Sequence, residues 1–185
     1  MKTLHRPTKD ELFAAIDRTV PDLLAPDMRV LFCGINPSLY SAVVGVHFAR
    51  PGNRFWPAMH LSGFTPRRFL PSEQDELKAL GLGITNVVDR ATASADLLDA
   101  EEYVAGRGNL ERKVKRYRPA FLAVLGLGAY RSAFGRPKAR FGRQEETLGG
   151  TGLWVLPNPS GLNASYQLPD LARLFGELRR AVDAG

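Results

Sequence analysis

Two carboxamides, Asn36 and Asn158, each open an Asn-Pro turn at the carboxyl end of a strand-like apolar run. The first run, Arg29-Val30-Leu31-Phe32-Cys33, leads into Gly34-Ile35-Asn36-Pro37-Ser38. The second, Leu153-Trp154-Val155-Leu156-Pro157, leads into Asn158-Pro159-Ser160-Gly161-Leu162-Asn163. Proline disfavours helix at the residue before it and fixes its own φ, so each asparagine is held in an extended geometry. Open α/β sheets bind ligands in the crevice beyond the carboxyl ends of their strands. Two rigid polar turns there place one amide on each lip of a pocket. An amide oxygen can orient a water, but it has no useful basicity near neutral pH. Hydrolysis run by such a group must proceed mainly by bond cleavage, with electrostatic stabilisation of the separating charges carrying the acceleration. A carboxylate would be a true base. Asp89, in Val87-Val88-Asp89-Arg90 at the end of another apolar run, is the alternative for that role, with Asp96 behind it.

An Asn-Pro pair alone is commonly just a turn; here the stretch that follows adds to it. After Ser38-Leu39-Tyr40-Ser41 comes His47-Phe48-Ala49-Arg50-Pro51-Gly52-Asn53-Arg54-Phe55-Trp56. Together, GINPS from Gly34, FARPGNRFW from Phe48 and LPNPSGLN from Leu156 resemble the mismatch-specific uracil-DNA glycosylase and thymine-DNA glycosylase family. The resemblance runs from Met28 to the C-terminal helix. It implies that Phe48 packs against a flipped pyrimidine and that Asn36 positions the water. Asn158 then faces the site from the other side. Backbone N–H groups around Ile35 and Phe48 read the base edge, and Ser41 lies near its C5 edge. Ser160, Gly161, Leu162 and Asn163 form the DNA-facing loop, with Leu162 as the wedge that fills the vacated stack. The implied reaction hydrolyses the N-glycosidic bond of mismatched uracil in double-stranded DNA without a lyase step, using no cofactor and no metal. Three residues depart from the family's pattern. Ser38 replaces the usual Gly, Asn86 stands where a Lys is often found, and Ala164 replaces a basic residue past the wedge. They bear on base preference and on reading of the opposite base.

At 185 residues the chain suits a single domain, 1–185, with residues 1–25 as an N-terminal helical extension. A formal charge of +6 points to an anionic partner, nucleic acid first. The cations are dense in two places: Arg107, Arg112, Lys113, Lys115, Arg116 and Arg118, then Arg131, Arg136, Lys138, Arg140 and Arg143. The one cysteine, Cys33, reads as a buried hydrophobe. The scattered His5, His47 and His60 form no metal-ligand set. No apolar run approaches membrane-spanning length and the N-terminus lacks a signal-peptide core, so a cytoplasmic monomer is expected. Gly126-Leu127-Gly128 is followed by Arg131 at the third-glycine position, so a dinucleotide fingerprint fails. Neither a P-loop nor a G-x-S-x-G turn is present. The composition also fits a non-catalytic nucleic-acid-binding α/β module.

The expected elements are those of an α/β protein, a three-layer α/β/α sandwich around a mainly parallel four-stranded sheet. Thr8-Lys9-Asp10-Glu11 reads as a capping box opening a helix through Val20, with Leu12, Phe13, Ile16 and Val20 on one face. Strands are expected at 29–33, 82–88, 121–126 and 153–156. Helices are expected from about Asn53, from a Ser72 cap to Gly81, and at 100–117, 129–134 and 169–182. The Gly- and Arg-rich stretch from Gly135 to Gly152 reads as a mobile or DNA-facing loop.

Overall fold

Apolar alternation along each inner strand builds two cores, one on each face of a single sheet. The structure is a computed structural model and describes residues 4–185. Its strands are β1 (Val30–Gly34), β2 (Leu82–Asn86), β3 (Phe121–Leu125), β4 (Gly142–Leu148) and β5 (Thr151–Leu156), in the order β2-β1-β3-β5-β4. The first four in that order are parallel, and β4 runs antiparallel to β5. Val30, Phe32, Ala123, Leu125, Trp154 and Leu156 face one core. Helix α3 (Phe55–Leu61), the 3₁₀ segment Pro71–Leu80 and α6 (Leu168–Ala184) cover that face. Leu31, Cys33, Leu122, Val124, Leu153 and Val155 face the other, under α4 (Ala100–Tyr117) and α5 (Leu127–Phe134). Strands buried on both faces read as continuous apolar runs, which is why these were legible. Burial pushes the Cys33 thiol pKa up, in keeping with an inert core position.

The sheet has five strands rather than four. The missed strand, β4, lies inside the stretch read as a loop. Its Gly-Arg-Gln-Glu-Glu-Thr-Leu sequence is polar because it is the sheet edge, where charged residues discourage pairing with other chains. The opposite edge is covered differently: Leu23 and Ile84 exchange backbone hydrogen bonds of 2.8 and 2.9 Å.

Near the N-terminus the Thr8 capping box forms as expected, but α1 spans only Lys9–Ala14. Phe13 and Ile16 stay exposed, whereas Ala15 and Val20 pack on Ala42 and Ala91. The helix stops because tertiary bonding wins: Asp17 takes φ 64° and donates its N–H to Ala91 O at 3.0 Å. A short helix not anticipated, α2 (Leu39–Val44), begins at Ser38, whose hydroxyl accepts from Ser41 N at 3.1 Å. The hydroxyl that departs from the family's Gly is thus a helix cap. The 3₁₀ segment starts one residue before the expected Ser72 cap, with Pro71 at its first position and Glu73 bonded back to Leu70 N.

Helix α4 sets the height of the loop after β2. A β-carbon on Gly106 would lie 2.2 Å from Val87 O, while one on Gly108 would meet nothing within 4 Å. Gly→Ala inside a helix stabilises by up to about 1 kcal/mol when space allows, and overpacking costs about 1–3 kcal/mol. Gly108→Ala is therefore expected to raise unfolding free energy and Gly106→Ala to lower it, opposite signs in one helix, read by urea denaturation.

Candidate active site

The loops leaving β1, β2 and β5 at their carboxyl ends enclose one cleft of about 420 Å³. Gly34–Ser38, Phe48, Asn86, Thr92–Asp96 and the second Asn-Pro turn line it. Pairing continues past β2, since Val87 N donates to Gly34 O and Val88 N to Ile35 O, each at 2.9 Å. This zips the 87–96 loop onto the first turn.

That zipper orients Asn36. Its Nδ2 donates to Arg90 O at 3.0 Å and to Thr92 Oγ1 at 2.7 Å. A carbonyl can only accept, so the nitrogen must face Arg90 and the oxygen Oδ1 is left free. Arg90 is itself pinned by Glu102 and Asp17, and its guanidinium holds the Glu102 carboxyl down to about 2. Asn158 is oriented the other way round. Its Oδ1 accepts from Ser160 N at 3.0 Å, which leaves Nδ2 free. The two lips therefore offer one free acceptor and one free donor.

Phe48 is half-buried, with its ring stacked on Phe55 at 4.1 Å between centroids. Its backbone sits at φ 51°, a left-handed conformation that costs a non-glycine residue about 1–3 kcal/mol. Bonds on both sides hold it there: His47 N to Gln74 Oε1 at 2.9 Å, and Ala49 N to Ser41 Oγ at 3.1 Å. Ser41 lines the cleft with its hydroxyl already committed to this loop. The N–H groups of Ile35 and Phe48 donate to no acceptor among the described residues. A β-carbon on Gly34 would lie 2.5 Å from Asn86 Oδ1 and 3.4 Å from the Phe48 ring, so only glycine lets these groups close up.

Against this geometry, the model of one family, the Uracil DNA glycosylase superfamily, matches residues 21–180. The chain belongs to that superfamily. A solution NMR structure of a protein from Methanosarcina acetivorans, provisionally named a uracil DNA glycosylase, superposes with a TM-score of 0.58. The two are 21% identical over 89% of this chain and 99% of the other, so the likeness speaks for the fold. Superfamily membership carries with it a DNA substrate and a glycosylase-type hydrolysis.

Two further residues shape the cleft and its rim: one was named from sequence only as a departure from the family's pattern, the other only as part of a motif. Asn86, at the end of β2, is buried, yet its amide has no partner among the described residues, and it lines the cleft. A buried amide without a partner is costly unless something else satisfies it. The hint was its position at a strand's carboxyl end. The other is Arg54, which shapes the wedge loop. Its guanidinium donates to the carbonyls of Ser160, Asn163 (2.9 Å) and Tyr166, and its own N–H bonds Pro159 O at 2.9 Å. Arg54 Nε is buried without a partner among the described residues. The loop so held carries Leu162, which is 75% exposed.

Asp89 does not join the site. Its side chain is half-exposed, 3.5 Å from Lys113 Nζ, and outside the cleft lining. The ladder carries the chain past the cleft before Asp89 and turns that residue toward α4. The carboxylate in the lining is Asp96, the residue read as the weaker candidate. His47 also lines the cleft. Its Nε2 lies 2.9 Å from Pro21 O, and burial holds its pKa below the ordinary 6.5. No cluster of three or more His, Cys, Asp or Glu capable of holding a metal occurs among the described residues. No helix there is long and apolar enough to cross a membrane.

Hydrogen bonds to a charged group are worth about 1.5–3 kcal/mol each. Arg54→Ala removes three, so amide exchange at Leu162 and Asn163 is expected to speed up at least about tenfold while β1 and β3 amides stay protected. Unchanged exchange would mean the loop holds itself.

Proposed function

We propose that this protein removes mismatched uracil from duplex DNA, leaving an abasic site. The observation carrying the reading is the pair of oppositely oriented amides, Asn36 and Asn158, facing one cleft beside the Phe48 ring. The target base must leave the stack to reach them. Stacking on Phe48 contributes about 1–3 kcal/mol, against an unstacking and unpairing cost of a few kcal/mol. Stacking alone cannot extract a well-paired base. A mispaired uracil starts from a weaker pair, which favours G·U sites. Leu162 entering the gap adds about 1.5–3 kcal/mol of apolar burial and closes the balance.

In the cleft, the free N–H groups of Ile35 and Phe48 and the unpartnered amide of Asn86 suit the alternating donors and acceptors of a uracil edge. Main-chain groups held by Pro and Gly turns discriminate at little entropic cost. Asn36 Oδ1 accepts from the attacking water and aims it at the sugar carbon. The C–N bond breaks ahead of attack, with charge building on sugar and base, and the N–H donors stabilise the departing base. Among the described residues no lysine lines the cleft, which supports hydrolysis without a Schiff-base lyase step. The small Ser41 at the C5 edge leaves thymine and other C5-substituted pyrimidines as further substrates.

Asn36→Ala should slow single-turnover excision from a G·U duplex by about 10²-fold or more, as loss of a catalytic positioning group does, with little change in DNA affinity. Alkali cleavage at the uracil reads the product. Retention of the duplex without any break in the wild type would instead identify a binding module.

The pH profile separates an amide from a base. Because burial lowers the His47 pKa, folded His47 stays neutral above 6.5 and takes a proton only below that value. The unfolded chain protonates first as pH falls, so acid also weakens the fold there. The single-turnover rate is expected to be flat from about pH 6.5 to 9, with no base titrating. A tenfold rise per pH unit in that window would transfer the water-activating role away from Asn36.

A further inference from the structure

The densest run of cations, on α4, is largely paired. Lys113 pairs with Asp22 at 2.7 Å, Lys115 and Arg107 with Glu111, and Arg118 with Asp27. The last turn of the helix lies at the amino ends of β1 and β3. Tyr117 O accepts from Asp27 N, and Lys115 packs over Gly149 in the β4–β5 turn. Both places are opposite the cleft.

A second set of cations brackets the wedge loop. On one side Gly161 sits so close to Gly52 that a β-carbon would lie 2.7 Å from Gly52 O, and the nearby Arg50 is exposed on the cleft lining. On the other side Phe141 meets Tyr166 edge-on at 5.2 Å, and Gly142 pairs with Val155 just ahead of the second Asn-Pro turn. Lys138 and Arg140 precede that contact and are exposed beside a groove of about 660 Å³. Their backbone is tied down. Arg131 Nε and Nη2 both donate to Ala139 O, at 3.1 and 2.7 Å, and Gln144 Nε2 donates to Arg140 O at 2.8 Å. Arg136 in the same segment is taken by Glu146, and Arg143 lies over the Phe121 ring. Arg50, Lys138 and Arg140 form no ion pair with a carboxylate among the described residues.

A phosphate contact needs a solvent-reaching cation whose charge is not already compensated, held on backbone that does not have to be ordered on binding. We propose that Arg50 on one flank and Lys138 and Arg140 on the other are the phosphate contacts that seat a DNA duplex across Leu162, and that the α4 cations are not. The proposal rests on the glycosylase reading of the cleft and names how its duplex is gripped.

The test is titration of a plain, uracil-free duplex by fluorescence anisotropy over a range of salt concentrations. Each phosphate contact contributes about 0.9 to the slope of log affinity against log salt. Lys138→Ala/Arg140→Ala should flatten the slope by about 1.8 and Arg50→Ala by about 0.9. Arg112→Ala/Arg116→Ala, which removes two exposed α4 cations, should leave it unchanged. Flattening by the α4 pair alone, or by none of the three variants, overturns the proposal. Wild-type uracil release from a G·U duplex, measured in parallel, separates the two ideas. Loop-dependent binding without release sinks the glycosylase reading but keeps the surface, and release with an unmoved slope sinks the surface alone.

Discussion

The site depends on one constraint: the Asn36 amide is gripped by groups that can only be satisfied by its nitrogen. Arg90 O is a carbonyl, and Thr92 Oγ1 spends its own proton on Ser94 O at 2.7 Å. Both acceptors ride on the loop zipped to the first turn by Val87 and Val88. That loop is held from the other side by the Asp17–Ala91 and Ala91–Arg18 backbone bonds and by the Arg90 ion pairs. A free amide can flip and offer water either end. This one cannot, and a group with no basicity must rely on such fixed orientation.

Rigidity recurs on the Phe48 side of the cleft. A phenylalanine at positive φ persists only where its surroundings over-determine it. Here Gln74 and Ser41 hold the residues on either side, and Phe55 backs the ring. Arg54 then ties the wedge loop to the segment just after Phe48. Among the described residues the arginine head hydrogen-bonds carbonyls and pairs with no carboxylate, so its positive charge is not neutralised.

Electrostatics also favours an amide for the proposed water-positioning role. A carboxylate there would be a stronger base, but it would repel the phosphates flanking an extruded nucleotide. A neutral amide gives up basicity and avoids that penalty. The lining keeps the same balance, with a neutral His47, one carboxylate in Asp96 and one cation in Arg50. The proposed chemistry, driven by bond cleavage, suits such a cleft, because its donors would act on the leaving base rather than on an incoming nucleophile.

Much of this protein could be read from the chain itself. Runs such as Phe121–Leu125 are apolar throughout because parallel strands are buried on both faces, and Pro37 and Pro159 mark where the chain must turn. Asn36, Asn158, Phe48 and Leu162 were legible for that reason: local geometry and residue type placed them at strand ends or in loops. What depended on distant partners was not. The polar β4 looks like a loop until β5 pairs with it. α1 looks longer until Asp17 meets Ala91, and Asp89 looks like a cleft residue until the ladder past β2 turns it toward α4. The environments of Asn86 and Arg54 became visible only in the fold: an amide without a partner among the described residues and a cation under three carbonyls. Local sequence determines where the backbone bends and which faces are apolar. Only the folded chain decides which polar atoms end up satisfied and which remain free, because hydrogen-bond partners are chosen across the sheet rather than along it.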